Sequence, residues 1–258
     1  MNSAKSKLRN RELLFGAWVS FSHPSITEIF ASKGFDFLAI DMEHTTISLE
    51  QAQRIIAASQ SFDVPCLPRP VSHSNDWIKP LLDSGADGII APMVESLEAS
   101  SKISELIRFP PMGKRSFGVN RAHGYGSNFS GYLKTWNERS IYIAQVETVA
   151  GLTNIDTILE TPGLDGVMIG PYDMSGSLGV PGETSHPLVI QAENQILAAC
   201  KKFGISCGTQ LAVFDEVNIN IALKKGYTFI IASSDLFVLN SWAEKAQILM
   251  SEAVENLG

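Results

Sequence analysis

Short runs of apolar and β-branched residues alternate along the chain with longer stretches of helical period. The runs fall at residues 14–21, 35–43, 64–70, 88–94, 142–148, 166–173, 205–211 and 229–234. Between them lie amphipathic segments, among them 49–61, 97–107, 187–203 and 214–225. Strands alternating with helices imply a parallel sheet with crossover connections.

A weak internal repeat sharpens this reading. Gly34-Phe-Asp36, Gly85-Ala-Asp87 and Gly163-Leu-Asp165 each precede an apolar run, and Gly226-Tyr-Thr228 is a looser copy. Each glycine is expected to end a helix and each apolar run to begin the next strand. The copies precede strands two, four, six and eight, which fits a closed eight-strand α/β barrel whose core layers come from alternate strands. An open doubly wound sheet would want a Gly-rich loop after strand one. That turn reads Val19-Ser-Phe-Ser-His-Pro and contains no glycine. One connection breaks the rhythm: residues 109–137 carry Pro110, Pro111 and five glycines. Long loops in compact domains are functional or disordered, so this one either shapes the mouth of a site or is a surface excursion.

Length agrees with the pattern, since 258 residues suit one barrel domain of about 250. A net charge of −7 with no basic stripe argues against nucleic acid and anionic membranes as partners. Three cysteines, Cys66, Cys200 and Cys207, form no CxxC pair and point to a reducing compartment. The first residues are basic and polar with no apolar segment behind them, and no run of about 18 apolar residues occurs. A cytoplasmic protein without membrane association is expected.

In a barrel the C-terminal strand ends build the active site. Here they read Asp41-Met-Glu43-His44, Pro68-Arg69-Pro70, Gln145-Val-Glu147-Thr148 and Gly170-Pro-Tyr172-Asp173. Glu147 and Asp173 are hard carboxylates on neighbouring strands and suit Mg²⁺ or Mn²⁺; equally, they are rim carboxylates satisfied by backbone or arginine. His44 reads as a base, a ligand or an ordinary hydrogen-bonded side chain. Arg69 reads as an anion or oxyanion binder, as a salt bridge to Asp41 or Glu43, or as both. No lysine falls within a strand run, which disfavours an imine mechanism. The last two strands lack the Gly-rich turn that holds a substrate phosphate.

These segments, with Leu81-Leu-Asp83-Ser-Gly85, Ala91-Pro-Met93-Val94, Pro110-Pro-x-Gly113-x-Arg115 and Gly170-Pro-Tyr172-Asp173-Met-Ser175 in order, resemble the HpcH/HpaI family of metal-dependent pyruvate aldolases. The resemblance runs from about Phe15 to Leu239 and implies a (β/α)8 TIM barrel of the phosphoenolpyruvate/pyruvate type. It implies that Glu147 and Asp173 hold the divalent metal (Mg²⁺, Mn²⁺ or Co²⁺) and that His44 is the proton acceptor. Asp83 would raise the basicity of His44. Arg69 would stabilise an enolate oxygen, and Gln145 with the backbone around Tyr172 and Asp173 would hold the carboxylate of a small keto acid that reacts with an aldehyde. Tyr172 stands where relatives carry a small residue, so its bulk is expected to narrow the site or touch the acceptor. The resemblance also implies a homo-oligomer, a hexamer, with a C-terminal helix within 236–258 exchanged between subunits and residues 1–12 as an extension of the single domain 1–258. Two alternatives use the same scaffold: an oxaloacetate-type decarboxylase, and a CoA-thioester lyase, which would want a basic patch that the sequence lacks. A non-catalytic keto-acid-binding barrel would be expected to have lost one of His44, Arg69, Glu147 or Asp173, and all four are present.

Overall fold

The computed structural model describes residues 4–256. Each apolar run contains a strand: β1 (Leu14–Val19), β2 (Phe37–Asp41), β3 (Cys66–Arg69), β4 (Gly88–Ala91), β5 (Ile141–Val146), β6 (Gly166–Ile169), β7 (Ser206–Leu211) and β8 (Phe229–Ser234). The ladders are parallel, in the order β3-β2-β1-β8-β7-β6-β5-β4. Pairing of β1 with β8 closes the sheet on itself. At the remaining seam the Asp87 N–H donates to the Cys66 carbonyl at 3.0 Å. The architecture is a (β/α)8 barrel, not an open sheet.

The helices are α1 (Ala4–Arg9), α2 (Pro24–Ala31), α3 (Leu49–Gln60), α4 (Asn75–Asp83), α5 (Leu97–Ile107), α6 (Phe129–Arg139), α7 (Val149–Thr153), α8 (Ile155–Ile158), α9 (Pro171–Ser177), α10 (Pro187–Phe203), α11 (Glu216–Lys225) and α12 (Asp235–Glu255). Local chemistry sets their ends. A reciprocal Ser48–Gln51 capping box starts α3. Pro187 opens α10, and left-handed Gly204 ends it. Among the described residues no helix is long and apolar enough to cross a membrane. Residues 1–3 of the expected extension and 257–258 of the expected terminal helix lie outside the described residues.

The repeat seen in the sequence has a structural meaning. Asp36, Asp87, Asp165 and Thr228 each donate a backbone N–H to the carbonyl at the start of the preceding odd strand. Each side chain accepts the N–H of that same residue, Phe15, Cys66, Tyr142 or Cys207, and all eight bonds measure 2.8–3.0 Å. Four such clamps therefore tie the odd strands to the even ones at the N-terminal end of the barrel. They satisfy edge groups that burial would otherwise leave unpaired.

Inside the barrel, Phe37 and Phe229 meet edge to face with centroids 6.4 Å apart. They fit because Gly16 and Gly208 face them: a Cβ at either position would overlap a phenyl ring. Below them α1 closes the N-terminal end. Its Ala4 and Leu8 join the interior apolar cluster, and buried Lys5 pairs with Asp165 at 3.0 Å. Burial pulls the Lys5 ammonium below its ordinary pKa against the opposing pull of Asp165.

The 109–137 connection is more ordered than its composition implies, with a 3-10 turn (Arg121–Gly126) followed by α6. It packs against the C-terminal end of α4, where Arg115 meets Asp83 at 2.8 Å and Arg121 donates to the Ser84 carbonyl at 3.0 Å. It leads into the first residue of β5, so within the chain it lies at the end of the barrel away from the strand C-termini. Of the two readings the sequence left open, this placement within the chain favours the surface excursion.

Candidate active site

Asp41 is the last residue of β2 and Arg69 the last of β3, and the two are register partners. The chain turns back after β2 because Asp41 Oδ1 accepts the N–H groups of Glu43 and His44, both at 3.2 Å. This turn surrounds Arg69 with acceptors. Its guanidinium lies 2.9 Å from Asp41 and 3.3 Å from Glu43 Oε2, donates to Gln145 Oε1 at 3.3 Å, and stacks 4.7 Å above the Trp18 ring. Only 9% of Arg69 is exposed. A planar fork held on several sides is fixed in direction, the property that oriented anion recognition requires.

On the opposite wall β5 delivers Gln145 and, just beyond it, Glu147, which is 1% exposed. Glu147 Oε1 accepts the Met93 N–H at 2.8 Å, and Oε2 accepts from Gln145 Nε2. The Met93 donor reaches it because the chain turns left-handed there, φ 49°, directly after Pro92. The same turn sends the Val94 N–H to the Gln145 carbonyl at 3.0 Å. Gly170 faces Glu147 closely enough that a Cβ would overlap the carboxylate. Three residues on, Asp173 sits in the first turn of α9 rather than on β6, because Pro171 starts a helix where the apolar run had suggested continuing strand.

Burial pushes the Glu147 carboxyl up to about 7. The charges of Glu43 and Asp173 push the same way, against the bonds donated by Gln145 and Met93. Glu43 is also raised by burial, with Arg69 and His44 pulling it down and Asp41 and Asp173 pushing it up. Its buried Oε2 has no hydrogen-bond partner. Of the four carboxylates here, Asp41 and Glu43 pair with the Arg69 guanidinium, while Glu147 and Asp173 add further negative charge. That surplus of hard oxygen donors fits a divalent cation such as Mg²⁺ or Mn²⁺. Among the described residues no three acidic, histidine or cysteine side chains converge on one point, so Glu147 and Asp173 would leave coordination positions open to small molecules.

A cavity of about 240 Å³ opens over Arg69, with Asp41, His44 and Thr45 on one side, Gln210 and Ser234 on another, and Leu236 and Phe237 at the rim. The exposed His44 ring lies with Nε2 3.6 Å from Glu43. Lysine is absent from the lining.

Two expected site residues stand apart from this cavity within the chain. Asp83 does not reach His44 within the chain: it ends α4 and binds Arg115 at 2.8 Å, next to the 109–137 connection. Tyr172 is 65% exposed and is not part of the cavity wall. Sequence reasoning also missed residues that build the site. Trp18 reads as ordinary core in an apolar run. Asp235 is buried and accepts the N–H groups of Ser20 at 2.8 Å and Phe21 at 2.9 Å, joining the end of β1 to the start of α12. The Ser-Asp pair at an apolar run's end was its only signal.

Residues 14–241 match the model of a family described as HpcH/HpaI aldolase/citrate lyase. A hydroxypyruvate/pyruvate aldolase of Roseobacter denitrificans is 35% identical over 93% of each chain. A 2-keto-3-deoxy-L-rhamnonate aldolase of Salmonella typhi is 33% identical over 99% of this chain and 95% of its own. Among solved structures, an HpcH/HpaI aldolase/citrate lyase family protein from Burkholderia cenocepacia superposes with a TM-score of 0.90. It is 31% identical, covering 97% of this chain and all of the other.

Proposed function

The chain belongs to the HpcH/HpaI aldolase/citrate lyase family, and on that footing we propose that this carbon–carbon lyase is a divalent-metal-dependent aldolase that makes and cleaves 4-hydroxy-2-oxo acids from pyruvate and an aldehyde. The observation that carries the reading is the buried Arg69 fork, held by Asp41, Glu43 and Gln145 on the floor of a cavity that His44 lines.

The following parts are proposed for the residues of the site. Gln145 and the backbone around Tyr172 and Asp173 hold the pyruvate carboxylate. Glu147 and Asp173 would hold Mg²⁺, Mn²⁺ or Co²⁺, which when bound supplies Lewis acidity to the keto acid. In the condensation direction His44 accepts a proton from the C3 methyl of pyruvate. The Arg69 guanidinium stabilises the negative charge that gathers on the C2 oxygen. Carbon C3 of the enolate then attacks the aldehyde carbon, and His44 returns the proton to the new alkoxide. In cleavage His44 takes the proton of the 4-hydroxyl, the C3–C4 bond breaks, and C3 is reprotonated. The energetic demand falls on Arg69 because its charge is already oriented, so little reorganisation is needed as the enolate forms.

The same proposal includes self-association. Along α12, Leu239, Trp242, Leu249 and Val254 are exposed, an apolar face of the kind that mates with another copy in a homo-oligomer. Three free buried cysteines agree with a reducing compartment such as the cytoplasm.

The test is condensation of pyruvate with a panel of aldehydes, followed by mass spectrometry for a product whose mass is the sum of the two reactants. Product that forms with Mg²⁺ or Mn²⁺ and stops with excess EDTA supports the proposal. Product formation that EDTA leaves unchanged would remove the metal from it.

A further inference from the structure

Several basic residues of this acidic chain gather at one place. Arg11 stands just before β1, Lys201 in the last turn of α10, which leads into β7, and Lys224 and Lys225 in the last turn of α11, which leads into β8. Strands β1, β8 and β7 are neighbours in the barrel, so three segments far apart in sequence meet at its N-terminal end. There they line a cavity of about 400 Å³, with Leu197 on its apolar side. Among the described residues of the lining four are cationic and none is acidic, in a protein of net charge −7.

Helix C-termini favour lysine in their last turns, which accounts for each helix by itself. It does not account for the charge left over. Lys202 and Lys225 meet Asp156 at 2.8 Å and Glu193 at 2.6 Å. Lys201 and Lys224 line the cavity and, among the described residues, form no ion pair. Arg11 is fixed from behind: its Nη1 donates to the Cys200 carbonyl at 3.2 Å and to the Ile205 carbonyl. No carboxylate neutralises it among the described residues of the lining. A concave surface lined by one sign of charge concentrates the opposite ion.

We propose that this cavity binds the diphosphate group of a small molecule, at the end of the barrel opposite the cavity over Arg69. Three unpaired cations, Arg11, Lys201 and Lys224, come from three separate segments, and a single carboxylate or sulfate is too compact to meet all of them. Two linked phosphates spread several acceptor oxygens over a longer span and carry roughly three negative charges near neutral pH. The Arg11 fork suits phosphate oxygens and the lysines act as point charges. The volume lies within the range of small-molecule sites, and the negative charge of the rest of the protein opposes a long polyanion. The diphosphate is either the free ion or part of a nucleotide whose remainder lies along Leu197.

The test is titration calorimetry with inorganic diphosphate, ADP and sulfate, in EDTA so that no metal ion competes for the phosphates. The wild type binds one diphosphate or one ADP per chain, with affinity that falls as salt rises, and binds sulfate about tenfold more weakly or worse. Lys201 and Lys224 are exposed, so their replacement leaves the fold intact. Lys201→Ala/Lys224→Ala weakens binding about tenfold. Lys102→Ala/Lys114→Ala, which removes the same charge elsewhere on the surface, leaves binding unchanged, and so does Arg69→Ala. ADP binding more tightly than diphosphate identifies a nucleotide as the ligand, and any other order identifies the free ion. Four results overturn the proposal: no saturable binding, sulfate bound as well as diphosphate, equal weakening in the two double variants, or loss of binding in Arg69→Ala, which would place the anion in the other cavity.

Discussion

Metal binding at Glu147 must compete with a proton. The carboxyl is buried and pushed up to about 7, so in the metal-free protein it is mostly protonated at pH 5 and mostly ionised at pH 8. A cation takes the ionised form, and the apparent affinity therefore rises with pH up to about 7 and then levels off. At pH 5 about one molecule in a hundred carries the ionised group. The dissociation constant for Mn²⁺ is then about 100-fold weaker than at pH 8, or about 2.7 kcal/mol. Glu43, also raised by burial, acts in the same direction. Titration calorimetry at both pH values, each in two buffers of different ionisation enthalpy, reads affinity and proton release together. About one proton is released per ion at pH 5 and few at pH 8. In Glu147→Gln the affinity at pH 8 drops and the pH dependence shrinks. An Mn²⁺ affinity that changes less than about threefold across this range, with no proton release, would refute the assignment of Glu147 and the burial argument beneath it.

Arg69→Ala is expected to keep Mn²⁺ affinity while kcat falls about 100- to 1000-fold, the loss typical of an oriented oxyanion donor; unchanged kcat in steady-state assays removes Arg69 from the chemistry. At Met93, whose left-handed backbone presents its N–H to Glu147, Gly and Asn fit that conformation and β-branched Val does not. Metal affinity by calorimetry should therefore survive Met93→Gly and Met93→Asn and weaken in Met93→Val, whereas weakening in the glycine variant would show that the side chain, not the backbone, matters. Lys5→Ala leaves Asp165 buried with only the more distant Arg9 at 3.5 Å. It should cost about 3 kcal/mol and lower Tm by roughly 10 °C, and an unchanged Tm would mean that α1 does not hold the barrel closed.

The barrel was legible because its strands are covered on both faces and so read as near-continuous apolar runs. The Gly-x-Asp repeat marked their beginnings, since the aspartate that clamps each odd strand stands at a fixed distance from the glycine that ends the preceding helix. Strand endings were less legible. Pro92 with left-handed Met93 ends β4 early, and Pro171 turns the end of the sixth run into α9, which moved Asp173 from a strand to a helix. Arg69, Gln145 and Glu147 were found because charge directly after an apolar run is conspicuous. Trp18 was not, because an aromatic residue in a strand has the same signature whether it packs in the core or beneath a guanidinium. The distance of Asp83 from His44 within the chain was not legible, because order along the chain says nothing of which end of the barrel a residue occupies. A residue at the end of α4 lies one barrel length from the strand tips. The six-residue α1 was invisible for a related reason: its Lys5 is buried only because Asp165, 160 positions later, waits beneath the barrel.

The central claim is that this site removes a proton from the methyl group of pyruvate. It is tested most directly by proton NMR of pyruvate in D₂O with the enzyme and no aldehyde, first with Mg²⁺ or Mn²⁺ and then with excess EDTA. The account predicts loss of the methyl signal with metal and its retention after chelation. A methyl signal that persists with both metals would contradict it.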